Sequence, residues 1–241
     1  MVSADDGASW GALAAARYIC RDTTFVVFCL SSLCIGFVYM QAMSTLPLHL
    51  LDSGMGPKTY GRLIALNGIL IVCLQIPITA WVTRFHAGTM MVAGCVLTAI
   101  GFGLTDLATG AIQIAWTIVV WTLGEMCQAP LGPTIVSNLA PVALRGRYMG
   151  LFTTCFSSAM MLGVPIGGLV LERWGASFVW RGCFGVGMLA ALLQVWVRRR
   201  LLATATPAPH CVGADAVRVT DGFRSVEPHR KQPPPRRGPG A

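Results

Sequence analysis

Charge is what this chain has least of. Asp, Glu, Lys and Arg together supply 12% of its 241 residues, about half of the roughly 25% usual in a soluble domain. Hydrophobic side chains supply 54%, and the mean hydropathy is +0.64. Too few polar groups remain to give an apolar core a wettable surface, which excludes an ordinary soluble fold. A bilayer is the solvent that suits such a composition. Nine cysteines are present, but there is no CxxC pair and no histidine at metal-ligand spacing from them. They read as small buried apolar side chains, so neither a metal nor a cofactor is expected. The formal charge of +8 falls in short loops and in the C-terminal segment, with no basic helix interleaved with aromatics. Nucleic acid is therefore not an expected partner. The opening MVSADDGASWGALAAARYICRD lacks a basic region, an apolar core and a small-residue cleavage site in succession. It does not read as a cleaved signal peptide.

What the chain does have is a series of apolar segments. Six emerge, at approximately residues 24–46, 63–82, 90–107, 111–135, 148–171 and 177–197. Each has the roughly 18–25 residues that cross a hydrocarbon core about 30 Å thick at 1.5 Å per residue. Between Phe25 and Val197 the charges lie in or beside the proposed loops, Glu125 excepted. Short loops impose antiparallel neighbours, so the expected fold is an all-α membrane protein, a bundle of six transmembrane helices. Excess positive charge marks the cytoplasmic side. An N-terminus on that side places Arg17, Arg21, Arg84, Arg145, Arg147 and the Arg198–Arg200 run on cytoplasmic flanks. Lys58, Arg62, Arg173 and Arg181 then face outward. The expectation is a multi-pass protein of the cell (inner) membrane with both termini cytoplasmic. The chain divides into a cytoplasmic segment at 1–21, the bundle at 22–200 and a tail at 201–241. The tail is rich in Pro, Arg and Gly, without apolar periodicity, and is expected to be disordered.

Lipid offers no hydrophobic drive between helices, so close packing relies on small residues. Ala159, Gly163 and Gly167 recur at four-residue spacing in the fifth segment, and Cys183, Gly187 and Ala191 do so in the sixth. Both stripes read as helix–helix contact faces. Pro47, Pro77, Pro130, Pro133 and Pro165 fall within or near the ends of the segments, where each removes a helical hydrogen bond and tends to bend the helix. The stretch TLGEMCQAPLGP carries Glu125. Thr117, Trp121, Glu125, Gln128 and Gly132 follow steps of three and four and so share a face. A carboxylate near the middle of a bilayer costs at least about 2.5 kcal/mol. It must therefore turn toward a bundle interior or a watery cavity, or hold a proton. That makes Glu125 the candidate proton or ion site, with a neutral structural acid bonded to a neighbouring helix as the other reading. Gln41, Asn67, Gln75, Trp121 and Gln128 are the candidates for a substrate path, although interhelical hydrogen bonds would account for the polar ones equally well. No cluster of His, Asp or Ser nucleophiles stands at bilayer depth, so an enzyme is not expected.

Several strings carry a resemblance. LPLHLLDSGMGPKTYGRLIALNGILIVCLQIPIT (46–79) resembles the seventh and eighth helices of the major facilitator superfamily, in particular its drug:proton antiporter branch. TLGEMCQAPLGPTIVSNLAPVALRGRYMGLF (122–152) and LGVPIGGLVLERWG (162–175) are similar to the tenth and eleventh helices of that branch. The resemblance covers about residues 21–200 and corresponds to the C-terminal six-helix half of the family's twelve-helix fold. It implies proton-coupled efflux of a small organic molecule by alternating access. It also places Arg145, Gly146 and Arg147 on a cytoplasmic gating loop, where arginines can latch one conformation. The loop WVTRFHAGTMM keeps Arg84 but lacks the acidic and paired basic residues of the family's fuller motif. The branch's main coupling acids usually lie in the other half. The partners this implies are the lipid bilayer, a small-molecule substrate, and either a separately encoded N-terminal half or a second copy of the chain. The alternative is a non-transporting truncated remnant or a subunit of a split transporter.

Overall fold

A computed structural model describes residues 11–204. The expected disorder of the tail beyond Thr204 concerns residues outside that range. Eight α-helices run in order among the described residues: α1 (Ala12–Arg21), α2 (Thr23–Asp52), α3 (Pro57–Val82), α4 (Ala87–Leu104), α5 (Ala111–Gln128), α6 (Leu131–Leu139), α7 (Arg145–Trp174) and α8 (Ala176–Thr204). Single 3-10 turns at Thr105–Leu107 and Val142–Leu144 fill two of the connections. Five helical stretches are long and apolar enough to cross a membrane: α2, α3, α4 with its following turn, α7 with its preceding turn, and α8. The fold is an all-α membrane bundle.

The expected segment at 111–135 is split. Pro130 and Pro133 both lack an N–H, so two donors are lost within one turn of the α5 ladder, and α5 ends at Gln128. Helix α5 also carries Gln113, Glu125 and Gln128, and it is not among the five most apolar stretches. Pro47, Pro77 and Pro165 behave differently, since α2, α3 and α7 run through them unbroken. A lone missing donor is absorbed by a 26–30-residue helix whose other backbone bonds have no water to compete for them. The segment at 1–21 contains a feature the composition did not suggest, the short helix α1.

The ends are set by local chemistry. The Asp22 carboxylate accepts from the Phe25 N–H at 3.1 Å and caps α2. After α2 the chain reverses through Gly54 at φ 77°, and the Met55 N–H returns to the Leu50 carbonyl at 2.8 Å. Gly175 at φ 80° makes the equally abrupt turn from α7 to α8. Helix α2 packs against α7 and α8, α4 packs against α5 and α8, and α3 rests on α5. One buried apolar cluster joins Ile19, Phe28, Val82, Ala140, Tyr148 and Val197. A second joins Leu50, Leu63, Phe102, Ile114 and Trp180. The first cluster lies beside the turn bearing Arg84, the start of α7 with Arg145 and Arg147, and the end of α8 with Arg198; the second lies beside the starts of α3 and α8, with Lys58 and Arg181. The arginine-rich connections therefore share one end of the bundle.

Small residues allow the closest approaches. A Cβ on Gly124 of α5 would lie 2.7 Å from both the Gly94 carbonyl oxygen and the Thr98 nitrogen of α4. One on Gly163 of α7 would lie 2.8 Å from the Met40 Cβ of α2. Ala159, Gly163 and Gly167 are all buried, and the two glycines meet Met40 and Gln41 on α2. Gly187 of α8 packs in the same manner on Ala99 of α4.

Candidate functional site

The two prolines that end α5 also free carbonyls. Pro130 cannot donate to Met126, whose oxygen instead accepts from the Gln75 amide of α3 at 3.3 Å. Gln75 also donates to the Thr79 hydroxyl at 3.0 Å. One turn before the break, the Asn67 amide donates to Thr122 Oγ1 at 3.0 Å and to Glu125 Oε2 at 3.3 Å. Helix α3 is thus fastened to the polar face of α5 by two amides, eight residues and just over two turns apart. Glu125 is half-buried. Among the described residues the ion pair is Arg181 with Asp106, at 2.8 Å, and Glu125 forms none.

Beside Glu125 a cavity of about 380 Å³ opens between α2, α4, α5, α6, α7 and α8. That volume lies within the range of small-molecule pockets, about 300–1,000 Å³. Its apolar wall includes Ile35, Met91, Phe152 and Phe156, and its polar wall Ser31, Ser32, Tyr39, Glu125, Gln128 and Gln194. Ala129, Gly132 and Pro133 also line it, so the cavity lies where the helix breaks. Gln128 is held firmly. Its amide nitrogen lies 3.2 Å from the Tyr39 hydroxyl, 3.1 Å from Thr98 Oγ1 and 3.3 Å from the Gly124 carbonyl. Gly94 makes room for its stem, since a Cβ there would lie 2.6 Å from the Gln128 Cγ.

Of the residues singled out in the sequence, Glu125 and Gln128 line this cavity. Asn67 stands behind Glu125, and Gln75 braces the broken end of α5. Trp121 packs into the core against Phe102, with ring centroids 5.2 Å apart. Gln41 is fully buried on another face of α2 and donates to the Gly163 carbonyl at 2.9 Å, clasping α7. Arg145, Gly146 and Arg147 are exposed and open α7 at the arginine-rich end. There the next residue, Tyr148, donates its hydroxyl to the Asp22 carboxylate at 3.2 Å. Sequence reasoning passed over Ser31, Tyr39 and Gln194. Gln194 left a signal, a single amide inside the last apolar segment, whereas nothing separates Ser31 and Tyr39 from other hydroxyls of α2.

A second feature runs along α7. Gly146, Gly150, Thr153, Thr154, Ser157, Ser158 and Met161 border an open groove. Thr153 and Thr154 bond back to the Met149 and Gly150 carbonyls at 3.0 and 2.9 Å. This stripe lies opposite the Ala159–Gly163–Gly167 face that meets α2.

Known proteins resemble this chain in sequence. An uncharacterized MFS-type transporter of Bacillus subtilis, YqjV, is 26% identical over 160 residues, which cover 65% of this chain and 38% of that protein. A Na(+), Li(+), K(+)/H(+) antiporter of Planococcus maritimus is 22% identical over 197 residues, covering 74% of this chain and 46% of its own length. The multidrug resistance protein MdtH of Escherichia coli is 26% identical over 153 residues, 63% of this chain and 36% of that protein. The matched region thus spans less than half the length of each of these relatives. The model of the Major Facilitator Superfamily matches residues 28–230, which take in α3 to α8, most of α2 and the cavity beside Glu125. On that match the chain belongs to the Major Facilitator Superfamily.

Proposed function

We propose that this bundle works as the C-terminal half of an exporter that moves a small, amphipathic organic molecule out of the cell in exchange for protons. The carrying observation is Glu125, an acid without an ion-pair partner among the described residues, set in the wall of a cavity of ligand size. A carboxyl group in that position can take and release a proton as the cavity opens to one side and then the other. Glu125 and Gln128 form the substrate path with Tyr39, while Asn67 and Gln75 hold the polar face of α5 in place. A cation/proton antiporter and a multidrug resistance protein among the relatives support this reading.

The same proposal gives the chain a partner. Helix α3 is little buried, with Val72 and Ile76 each 81% exposed, and the groove of α7 is uncovered. Val72 and Ile76 suit lipid, but a row of hydroxyls on a spanning helix suits a protein or a watery path. A second six-helix bundle would close that path, with Arg145, Gly146 and Arg147 as the loop that latches it. Both termini would lie on the cytoplasmic side of the cell membrane.

The test is reconstitution of the full chain with a complementary six-helix half in liposomes, following ethidium export driven by an imposed proton gradient. Glu125→Gln keeps the shape of the protonated acid and should reduce gradient-driven export to the level of protein-free liposomes. Undiminished coupled export by this variant would remove Glu125 from the proton path.

A further inference from the structure

Most polar groups around the cavity are already committed. The Ser31 hydroxyl donates to the Ala190 carbonyl at 3.1 Å and Ser32 to the Phe28 carbonyl at 3.0 Å. The hydroxyl of Tyr39 and the amide of Gln128 bond each other and Thr98. Gln194 is the exception. It is 0% exposed, and neither its amide nitrogen nor its amide oxygen has a hydrogen-bond partner. Yet it lines the cavity from α8, on the same wall system as Glu125. A buried primary amide with both ends unpaired is unfavourable, because it has left water and gained nothing in exchange.

We infer that Gln194 reads the substrate, and that the cavity takes a molecule bearing a cis N–H/C=O edge, such as a lactam or carboxamide, on an aromatic or apolar body. The Gln194 nitrogen donates to the carbonyl of such an edge and its oxygen accepts from the N–H, so one planar group satisfies both atoms. The apolar body packs on Ile35, Phe152 and Phe156. Discrimination follows from the same chemistry. A ligand lacking the N–H leaves the buried amide oxygen unpaired, and sites built on buried polar groups reject such analogues more strongly than apolar pockets reject a missing methylene.

This inference rests on the cavity being the substrate site of the proposed exporter, but binding tests it without transport. The probes are 2-quinolinone, a fluorescent lactam with an aromatic body, and N-methyl-2-quinolinone, which has lost the donor. Each is titrated against the full chain in lipid nanodiscs with no proton gradient. The lactam should bind saturably and about tenfold or more tighter than its N-methyl analogue. Gln194→Met, of similar shape, should bring the two affinities together, chiefly by weakening that for the lactam, which loses both of its bonds. Equal affinities in the unaltered chain, or no saturable lactam binding, overturn the inference whether or not the variant folds. A preference that persists in a folded Gln194→Met protein overturns it too. If Glu125→Gln leaves coupled export intact while the lactam preference holds, the proton role fails and the substrate assignment stands. Coupled export with no lactam preference gives the reverse.

Discussion

Asn67 shows how much can hang on one side chain in this bundle. Its amide is the contact by which α3 reaches both Thr122 and Glu125. Hydrogen bonds between membrane helices contribute about 0.6 kcal/mol on average and up to about 1.7. Asn67→Ala removes two at once, so it should lower the unfolding free energy by about 1 kcal/mol, measured by thermal unfolding in detergent. Gly124 tests the opposite error, too much volume. Gly124→Val places a side chain against the backbone of Gly94 and Thr98 and should cost about 1–3 kcal/mol. Gly68→Val, where an added Cβ meets nothing within 4 Å, should leave stability nearly unchanged. These residues were unequally visible beforehand. The three- and four-residue steps from Thr117 to Gly132 identify a face of α5, and Glu125 and Gln128 do line the cavity from it. Trp121 shares the face but lies nearer the other end, against Phe102. Periodicity assigns a direction around a helix and says nothing about how far along it a cavity extends.

At the level of the helix, the break between α5 and α6 organises the surroundings of the cavity. The proline positions were plain in the sequence, but five prolines look alike there and one site interrupts a helix. The difference is that Pro130 and Pro133 withdraw two donors within one turn, and that a neighbouring amide stands ready to take up a freed carbonyl. That amide, Gln75, belongs to a helix more than fifty residues earlier, a pairing that no local pattern encodes. A double-mutant cycle measures the link. Gln75→Ala should cost about 0.5–1.5 kcal/mol in the unaltered chain, where it strands the Met126 carbonyl. In a Pro130→Ala background the backbone can supply its own donor to Met126, and the same change should cost close to nothing. Equal costs in both backgrounds would mean that Gln75 acts through Thr79 alone.

For the whole molecule, the question is which surfaces belong to lipid and which do not. Length, apolar runs and the positions of the charges make the bundle readable in the sequence, because bilayer thickness and backbone satisfaction leave few alternatives. They left its free faces unsorted, because an apolar spanning helix looks the same whether lipid or protein covers it. Burial separates them. Val72 and Ile76 of α3 are exposed and wholly apolar, whereas Thr153, Ser157 and Met161 of α7 border a groove rich in hydroxyls. If a second bundle docks on α7, a bulky side chain in that groove blocks it, while the same change on a lipid face does not. Ser157→Trp should therefore cut co-purification with a complementary six-helix half by about tenfold, a loss of roughly 1.4 kcal/mol. It should also leave the bundle's own unfolding unchanged, since Ser157 is exposed within it. Val72→Trp should leave both co-purification and unfolding as they were, because tryptophan in lipid displaces only acyl chains. Equal losses from the two variants would show that α3 and α7 are covered together, and the surface assigned to the partner would then have to include both helices.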